Sequence, residues 1–264
     1  MEYATKRGII LYDKITKFVE KLKQKTAKEC CIVDIVDGTP DIMDNKIGGI
    51  PYLPVGEKYP KSKDGKDLAL LLQINCKDIG LPDYPTEGIL EIFTDQSFTW
   101  PTNYEIRFFE EGRPYRKDLK MFSFEDFFVK KPLKIATKKG MCNMSISDYR
   151  FNDIALPILY ETTGEKLESF FDIEKVFGYD IYEVLTQKLD EPRISIGGYP
   201  DFTQEDPRYM KKHSNKTECL FKLDSCYDEK LIDLGDAGIL FALISKEDLL
   251  KKDFSKALVD WDCF

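Results

Sequence analysis

The chain has 264 residues, of which 42% are hydrophobic and 33% are charged, and its formal net charge at pH 7 is −8. This balance is typical of a folded globular protein and excludes an intrinsically disordered chain. The negative charge argues against nucleic acid as a partner and against a polybasic contact with a membrane. The apolar runs are also too short to span a bilayer.

The N-terminal region carries an amphipathic pattern. Ile15, Phe18, Val19 and Leu22 follow the spacing of one helical face, with lysines on the other faces. We expect a helix over residues 9–27 that packs on the first half of the chain. Packing on a core is the commoner role for such a pattern, and an interface with a partner is the alternative.

Short apolar or alternating runs, separated by Gly and Pro, predict strands along the rest of the chain. They fall at residues 31–36, 68–75, 89–94, 104–109, 133–137, 219–224, 238–244 and 256–261. A helix is expected over 165–177, ending at Gly178, and a short helix after Ser245 as its N-cap. These elements indicate a mainly β to α+β protein with largely antiparallel pairing.

Three segments occur twice in the same order. Residues 47–51 (Ile-Gly-Gly-Ile-Pro) match residues 196–200 (Ile-Gly-Gly-Tyr-Pro) 149 positions later. Residues 71–75 match 220–224 at the same offset, and residues 88–90 match 238–240 at an offset of 150. This order predicts an internal duplication. The chain then divides into an N-terminal helix (1–30), a first β-rich half (31–116), a bridging segment with short helices (117–190) and a second β-rich half (191–264).

The cysteines and the single histidine do not form a catalytic or metal-binding pattern. Seven cysteines are scattered along the chain without a CxxC pair, and no apolar export segment opens the sequence. Reduced thiols in a cytoplasmic protein are therefore expected. His213 lies among lysines, as surface histidines often do. We predict no catalytic residue, no metal and no cofactor.

Several segments resemble the YwqG-like family, a bacterial domain family of unknown function. They include GGIPYLPVGEKYP, LLLQINCKDI, YPTEGILEIFTD, SISDYRFNDI, IGGYPDFTQEDPR, LFKLDS, GDAGILFALISKEDL and DFSKALVDWDCF. The resemblance covers residues 40–264 and implies a β-rich fold with sandwich-like sheets in both halves. It implies no enzymatic activity. Some relatives resemble immunity or accessory proteins encoded beside secreted toxins.

The doubled glycine motif is expected to be structural. Glycine-rich loops can bind phosphate through their amides, but no GxGxxG or P-loop spacing is present. Glycine also permits positive φ and close backbone approach, and proline fixes the direction in which the chain leaves. The residues with this expected role are Gly48, Gly49, Pro51, Gly197, Gly198 and Pro200.

The second half carries the polar residues that a ligand site would need. Lys222 and Asp224 replace Gln73 and Asn75 of the first half, and Asp206 and Arg208 lie in a Gly/Pro-rich loop. Such an Asp–Arg pair is more often a structural bridge, and solvated loop carboxylates are common. The candidate ligand-binding residues are Gln204, Asp206, Arg208, Asp224 and Asp236, with Tyr199 and Trp261 as aromatic walls.

Two hypotheses of function follow. The first is a non-catalytic binding or regulatory module, including an immunity-type one, for which the acidic charge favours a basic protein partner. The second is a small-molecule- or cation-binding protein, or an enzyme, with its site around Asp206, Arg208, Asp224 and Asp236. The two differ in whether those side chains converge. The sequence leaves the oligomeric state open.

Overall fold

A computed structural model describes residues 2–96, 103–125, 127–174, 188–189, 191–225 and 231–263, with side chains from residue 13 onward. The strands form where apolar runs are continuous, as in the fully buried strands that cover residues 69–75, 89–94 and 239–244. The strands are β1 (Lys28–Val36), β2 (Lys46–Ile47), β3 (Ala69–Asn75), β4 (Ile89–Thr94), β5 (Tyr104–Phe109), β6 (Leu133–Cys142), β7 (Ile194–Gly197), β8 (Glu218–Asp224), β9 (Ile239–Ile244) and β10 (Leu258–Asp262).

Three helices accompany the strands in the described ranges. They are α1 (Glu2–Thr26), α2 (Phe151–Thr163) and α3 (Lys246–Leu250). Single 3₁₀ turns occur at Cys76–Asp78, Phe170–Asp172, Pro207–Tyr209 and Phe254–Lys256. None of these helices has an apolar stretch that could cross a bilayer.

The described strands join one antiparallel sheet in the order β10-β9-β8-β7-β1-β6-β2-β3-β4-β5. The sheet is symmetric about its central pair, β1 and β6. The first arm is β2-β3-β4-β5 and the second arm is β7-β8-β9-β10. Both arms carry a register shift at the corresponding place, between Leu70 and Leu72 in the first and between Cys219 and Phe221 in the second. The β-rich, antiparallel fold predicted from the sequence is confirmed, and both halves belong to one sheet.

One hydrophobic core lies between the two arms. It contains Leu72 and Ile92 of the first arm together with Leu220 and Ala242 of the second. The outermost strand of the first arm reaches the end of the second, where the Tyr104 hydroxyl donates to the carbonyl of Ala257 at 3.1 Å. The sheet therefore curls until its two ends meet around a shared core.

The N-terminal helix is confirmed, but its packing partner differs from the expected one. Ile15, Phe18, Val19 and Leu22 are at most 4% exposed, as the amphipathic pattern predicts. They pack with α2, Met144 and Phe170 in a separate cluster. This cluster belongs to the segment between the two arms, so the predicted packing on the first half is not what the structure has.

The main element that the sequence analysis missed is α2. Its buried positions Phe151, Ala155 and Leu159 follow a four-residue spacing, but Pro157 lies inside the helix. No side chain caps its first turn, and Gly164 ends it at φ +80°. Within the helix predicted over 165–177, Phe170–Asp172 form a 3₁₀ turn and residues 173–174 are helical, whereas residues 175–178 lie outside the described ranges.

Candidate functional site

A cavity of about 660 Å³ lies beside the second arm. Its walls come from the loop after β6, the first turn of α2, the 3₁₀ turn at Phe170–Asp172, the residues on either side of β7 and the first residue of β9. Five carboxyl groups line it, those of Asp148, Glu191, Asp201, Glu205 and Asp206. Apolar side chains line the rest, including Ile146, Phe151, Phe170, Phe202 and Ile239. Phe171 and Tyr209 also line it while 68% and 60% exposed. The cavity thus combines negative charge with aromatic surface.

Asp206 is held in place by the turn that follows it. It precedes the 3₁₀ turn Pro207–Tyr209, and its Oδ1 accepts from the amide of Arg208 at 2.9 Å. Its Oδ2 accepts from the amide of Tyr149 at 3.0 Å, which ties this loop to the loop after β6. The carboxylate is fully buried. Asp206 is therefore fixed by backbone donors on both sides.

Arg208 binds two of the cavity's carboxylates at once. Its Nη2 donates to Asp206 at 2.6 Å and to Asp148 at 2.9 Å, and its Nε donates to Asp206 at 2.9 Å. The guanidinium carbon lies 4.9 Å from the centre of the Tyr149 ring and 5.6 Å from that of Phe202. Such a bidentate, stacked arrangement is characteristic of a structural arginine.

Asp148 is the shared acceptor of two arginines. Burial works to raise the pKa of this carboxyl, but hydrogen bonds from Arg150 and the charge of Arg208 outweigh it, so the pKa is lowered. Arg150 donates to it through Nε at 2.9 Å and Nη2 at 2.7 Å. Asp148 is thus ionised, and its charge is balanced inside the protein.

Asp201 and Glu191 are in a different situation from Asp148. Asp201 accepts from the hydroxyl of Ser145 and, at 2.7 Å, from that of Ser147, both in the loop after β6. Burial raises the pKa of Glu191 to about 8, and the charge of Asp201 adds to the effect. Glu191 is therefore mostly protonated at neutral pH, whereas Asp201 is oriented by neutral donors.

A family model described as a domain of unknown function (DUF1963) matches residues 45–263. This range runs from the residue before β2 to the residue after β10 and includes every residue that lines the cavity. The chain belongs to the DUF1963 family. Among curated proteins, none matches the chain. The helix α1 and the central strand β1 precede the matched region.

In this DUF1963 protein the predicted ligand residues come together only in part. Gln204 and Asp206 line the cavity, and Arg208 lies behind Asp206. Asp224 is half-buried at the end of β8 and does not line the cavity, and burial raises its pKa. Asp236 is exposed in the turn before β9 and is also absent from the cavity wall.

The two predicted aromatic walls lie outside the cavity. The Trp261 indole donates to the carbonyl of Leu234 at 2.8 Å. The Tyr199 ring lies between two cations, with the Lys28 ammonium at 5.5 Å and the Arg150 guanidinium at 5.8 Å from its centre. Neither residue lines the cavity, and its aromatic walls come from phenylalanines and Tyr209 instead.

The sequence analysis missed Asp148, Glu191 and Asp201 as cavity residues. Asp148 lies in the SISDYRFNDI segment, and Asp201 follows the second Gly-Gly-Tyr-Pro directly. The proximity of Asp201 to the doubled motif was an available signal. Within the described ranges, no three His, Cys, Asp or Glu side chains are placed to hold a metal ion.

The doubled glycines adopt the backbone that the sequence analysis expected of them. Gly48 and Gly49 have φ of +72° and +90°, and Gly197 and Gly198 both have +70°. A Cβ at Gly198 would lie 2.4 Å from the sulfur of Cys142. The second pair therefore needs glycine for its conformation and for close packing. Pro51 and Pro200 are buried beside the two pairs.

Proposed function

We propose that this protein is a non-catalytic binding module for a basic protein partner, and that the cavity beside the second arm makes the contact. The observation that carries this proposal is an excess of negative charge at the cavity. Among the described residues, no cation pairs with Asp201 or Glu205, and the chain as a whole carries a charge of −8. Charge complementarity of this kind steers and orients an oppositely charged partner.

The aromatic side chains at the cavity also suit a protein contact. Phe171 and Tyr209 are large and mostly exposed, and aromatic residues are frequent among those that dominate binding energy. A lysine or arginine side chain could place its cation against such a ring and its apolar stem in the cavity. This combination favours a basic anchor residue on the partner.

The test is a binding titration with a fluorescent hexalysine peptide at low and high salt. We expect saturable binding that weakens with salt and falls several-fold in Glu205→Gln and Tyr209→Ala. Glu247→Gln, which removes an exposed carboxylate on α3, is the matched control. Equal affinity in wild type, control and both cavity variants would contradict the proposal.

The finer family assignment belongs to this proposal. We propose that the chain belongs to the YwqG-like subgroup, which is compatible with the DUF1963 match. We propose further that its binding serves a regulatory role or an immunity role against a secreted toxin. A bacterial cytoplasmic setting fits such a role. The register shifts at corresponding places in the two arms, together with the two glycine pairs, support an origin by internal duplication.

A second candidate function is the binding or conversion of a small molecule in the same cavity. The volume favours it, since about 660 Å³ falls within the range of small-molecule sites. A thermal-shift screen against metabolites tests this candidate, because a ligand at 100 times its Kd stabilises the folded state by ~2.7 kcal/mol. A hit that also displaces the peptide would favour a shared site.

A further inference from the structure

The first arm buries a carboxyl group that has no partner. Glu91 lies in the middle of β4, between Gln73 of β3 and Arg107 of β5, and is 0% exposed. Toward the described residues, neither of its carboxyl oxygens makes a hydrogen bond. Buried polar groups are normally paired, and a buried charge without a partner is costly. The folded protein therefore accommodates this carboxyl in its neutral form.

The Glu91 side chain lies outside the core that the two arms share. Alternate residues of a strand point to the same face, so Glu91 shares its face with Ile89 and Phe93. The residues between them, Leu90 and Ile92, belong to the shared core on the opposite face. Glu91 is therefore buried by whatever covers the outer face of the first arm.

Residues 52–60, called here the covering segment, close over that face. Tyr52 at its start packs with Ile89 in one hydrophobic cluster. Tyr59 near its end has its ring centre 6.2 Å from that of Phe93. The two contacts lie on either side of Glu91 along β4, so the covering segment passes over the carboxyl group.

The covering segment is joined to the loop after β5, at residues 113–116. The Val55 amide donates to the carbonyl of Pro114 at 2.8 Å, and the Arg116 amide donates to the carbonyl of Leu53 at 2.8 Å. These backbone bonds connect one loop with another. They can therefore break in a local opening while the strands beneath stay paired.

The surroundings favour the protonated carboxyl. Burial raises the pKa of Glu91 well above its ordinary value, and the charge of Lys46 opposes this rise without reversing it. Burial lowers the pKa of Lys46 to about 8 and raises that of Tyr59 to about 12. Lys46 is therefore charged and Tyr59 neutral from pH 5 to pH 7. The titratable and charged groups around Glu91 are Lys46 of β2, Arg107 of β5, Tyr52 and Tyr59 of the covering segment, and Glu111, Arg113 and Tyr115 of the loop after β5.

We propose that the covering segment is a pH-dependent lid, which closes over Glu91 while the carboxyl is protonated and opens when the carboxyl ionises. In the open state water solvates the carboxylate, so the closed state binds the proton more tightly. The stabilisation of the closed state by this proton is fully present below about pH 4.5 and is lost as the pH rises toward the pKa of the closed state. Opening exposes the apolar surface around Tyr52 and Ile89.

The lid is separate from the cavity proposed above for binding, because none of its residues lines that cavity. Its test is native-state hydrogen exchange, followed by NMR at pH 5, 6 and 7. The reporters are the amides of Tyr52, Val55 and Arg116, which donate across the closed loops. We expect their opening equilibrium constant to rise at least tenfold from pH 5 to pH 7, since each opening releases a proton.

Two variants identify the group that titrates. Glu91→Gln has the shape of the protonated carboxyl and is never charged, so its opening equilibrium should be nearly constant from pH 5 to pH 7. Glu87→Gln removes an exposed carboxylate just before β4 and should keep the rise of the wild-type protein. The amides of β4 should exchange more slowly than the reporters, because the lid opens while the sheet stays paired.

Three results would overturn the lid. The first is an opening equilibrium of the wild-type protein that does not change between pH 5 and pH 7. The second is a Glu91→Gln variant that keeps the wild-type rise. The third is equal protection of the reporter and β4 amides, which would mean that the covering segment opens only when the protein unfolds. If Glu91→Gln does not fold, the wild-type pH dependence and the comparison with β4 still decide.

Discussion

Arg208 is the residue on which the buried charges beside the cavity depend. Its side chain is 1% exposed and binds Asp206 and Asp148, whose side chains are both fully buried. Removing one partner from a buried ion pair leaves an uncompensated charge, which costs about 3–5 kcal/mol. We expect Arg208→Met to destabilise the protein by this amount in urea denaturation at pH 7.

Arg150 provides the matched control for that measurement. It also binds Asp148, but its side chain is 33% exposed, so solvent can replace it. We expect Arg150→Met to lower the free energy of unfolding by about 1 kcal/mol or less. Equal losses of unfolding free energy in the two variants would show that burial does not govern the strength of the ion pairs to Asp148.

Glu191 should make stability depend on pH. Burial raises its pKa in the folded protein to about 8, from an ordinary value of 4.5. The folded state then binds the proton more tightly than the unfolded state does. The stabilisation of the folded state by this proton is fully present below about pH 4.5 and is lost as the pH rises through 8. Glu191→Gln, which is never charged, should therefore become more stable than wild type toward pH 9.

The measurement is urea denaturation of both proteins from pH 4.5 to 9. The variant should nearly match the wild type at the acidic end and exceed it by about 4 kcal/mol at pH 9. Asp64→Asn, which alters an exposed carboxylate in the first half, corrects for general charge effects. A stability difference that is constant with pH would contradict a protonated Glu191 carboxyl in the folded protein.

At the scale of elements, the two glycine pairs allow a comparison within one chain. Gly49 and Gly198 occupy equivalent positions with φ of +90° and +70°. A Cβ at Gly49 would lie 3.3 Å from Pro132, whereas at Gly198 it would lie 2.4 Å from Cys142 and 2.9 Å from Cys30. The cost of positive φ, about 1 kcal/mol, applies to both positions, but overpacking applies to the second.

We therefore expect Gly198→Ala to destabilise the protein by about 2–3 kcal/mol and Gly49→Ala by about 1 kcal/mol. Thermal and urea denaturation of the two variants provide the comparison. If Gly49→Ala proved the more damaging, the close packing of Gly198 on the two cysteines would not control its identity.

Strands were easier to predict from the sequence than the cavity because they depend on local patterns. The strands at Ile89–Thr94 and Tyr104–Phe109 were predicted at their observed bounds, since a short apolar or alternating run is visible in one segment. The helix α2 was missed because Pro157 interrupts its pattern and no side chain caps its start. The helix is instead stabilised by packing on α1, which no local signal reveals.

The cavity could be predicted only in part because its residues are distant in sequence. Asp206 and Arg208 were recognised as a pair because they are two positions apart. Asp148 joins them only through the fold, when the loop after β6 meets the loop after β7. Asp224, at the end of β8, and Asp236, in the turn before β9, carry the same chemistry but do not line the cavity. Residue type was therefore informative, whereas convergence required the tertiary structure.

At the scale of the whole molecule, the two arms form a single structural unit. The sheet is continuous through β1 and β6, and the core contains side chains of both arms. Phe108 of β5 also contacts Phe254, near the end of the second arm, with ring centres 5.9 Å apart. Because the two halves share a core in this way, unfolding of one half would expose the apolar surface of the other.

We therefore expect the two halves to unfold in one cooperative transition. Phe254→Ala in the second half and Ile106→Ala in the first remove buried core side chains, and each should cost about 3 kcal/mol. Native-state hydrogen exchange, followed by mass spectrometry, should report the same free energy of opening for β3 and β8, and either substitution should lower both equally. If Phe254→Ala lowered the protection of β8 and left β3 unchanged, the halves would be independent domains, and the shared core would not couple them.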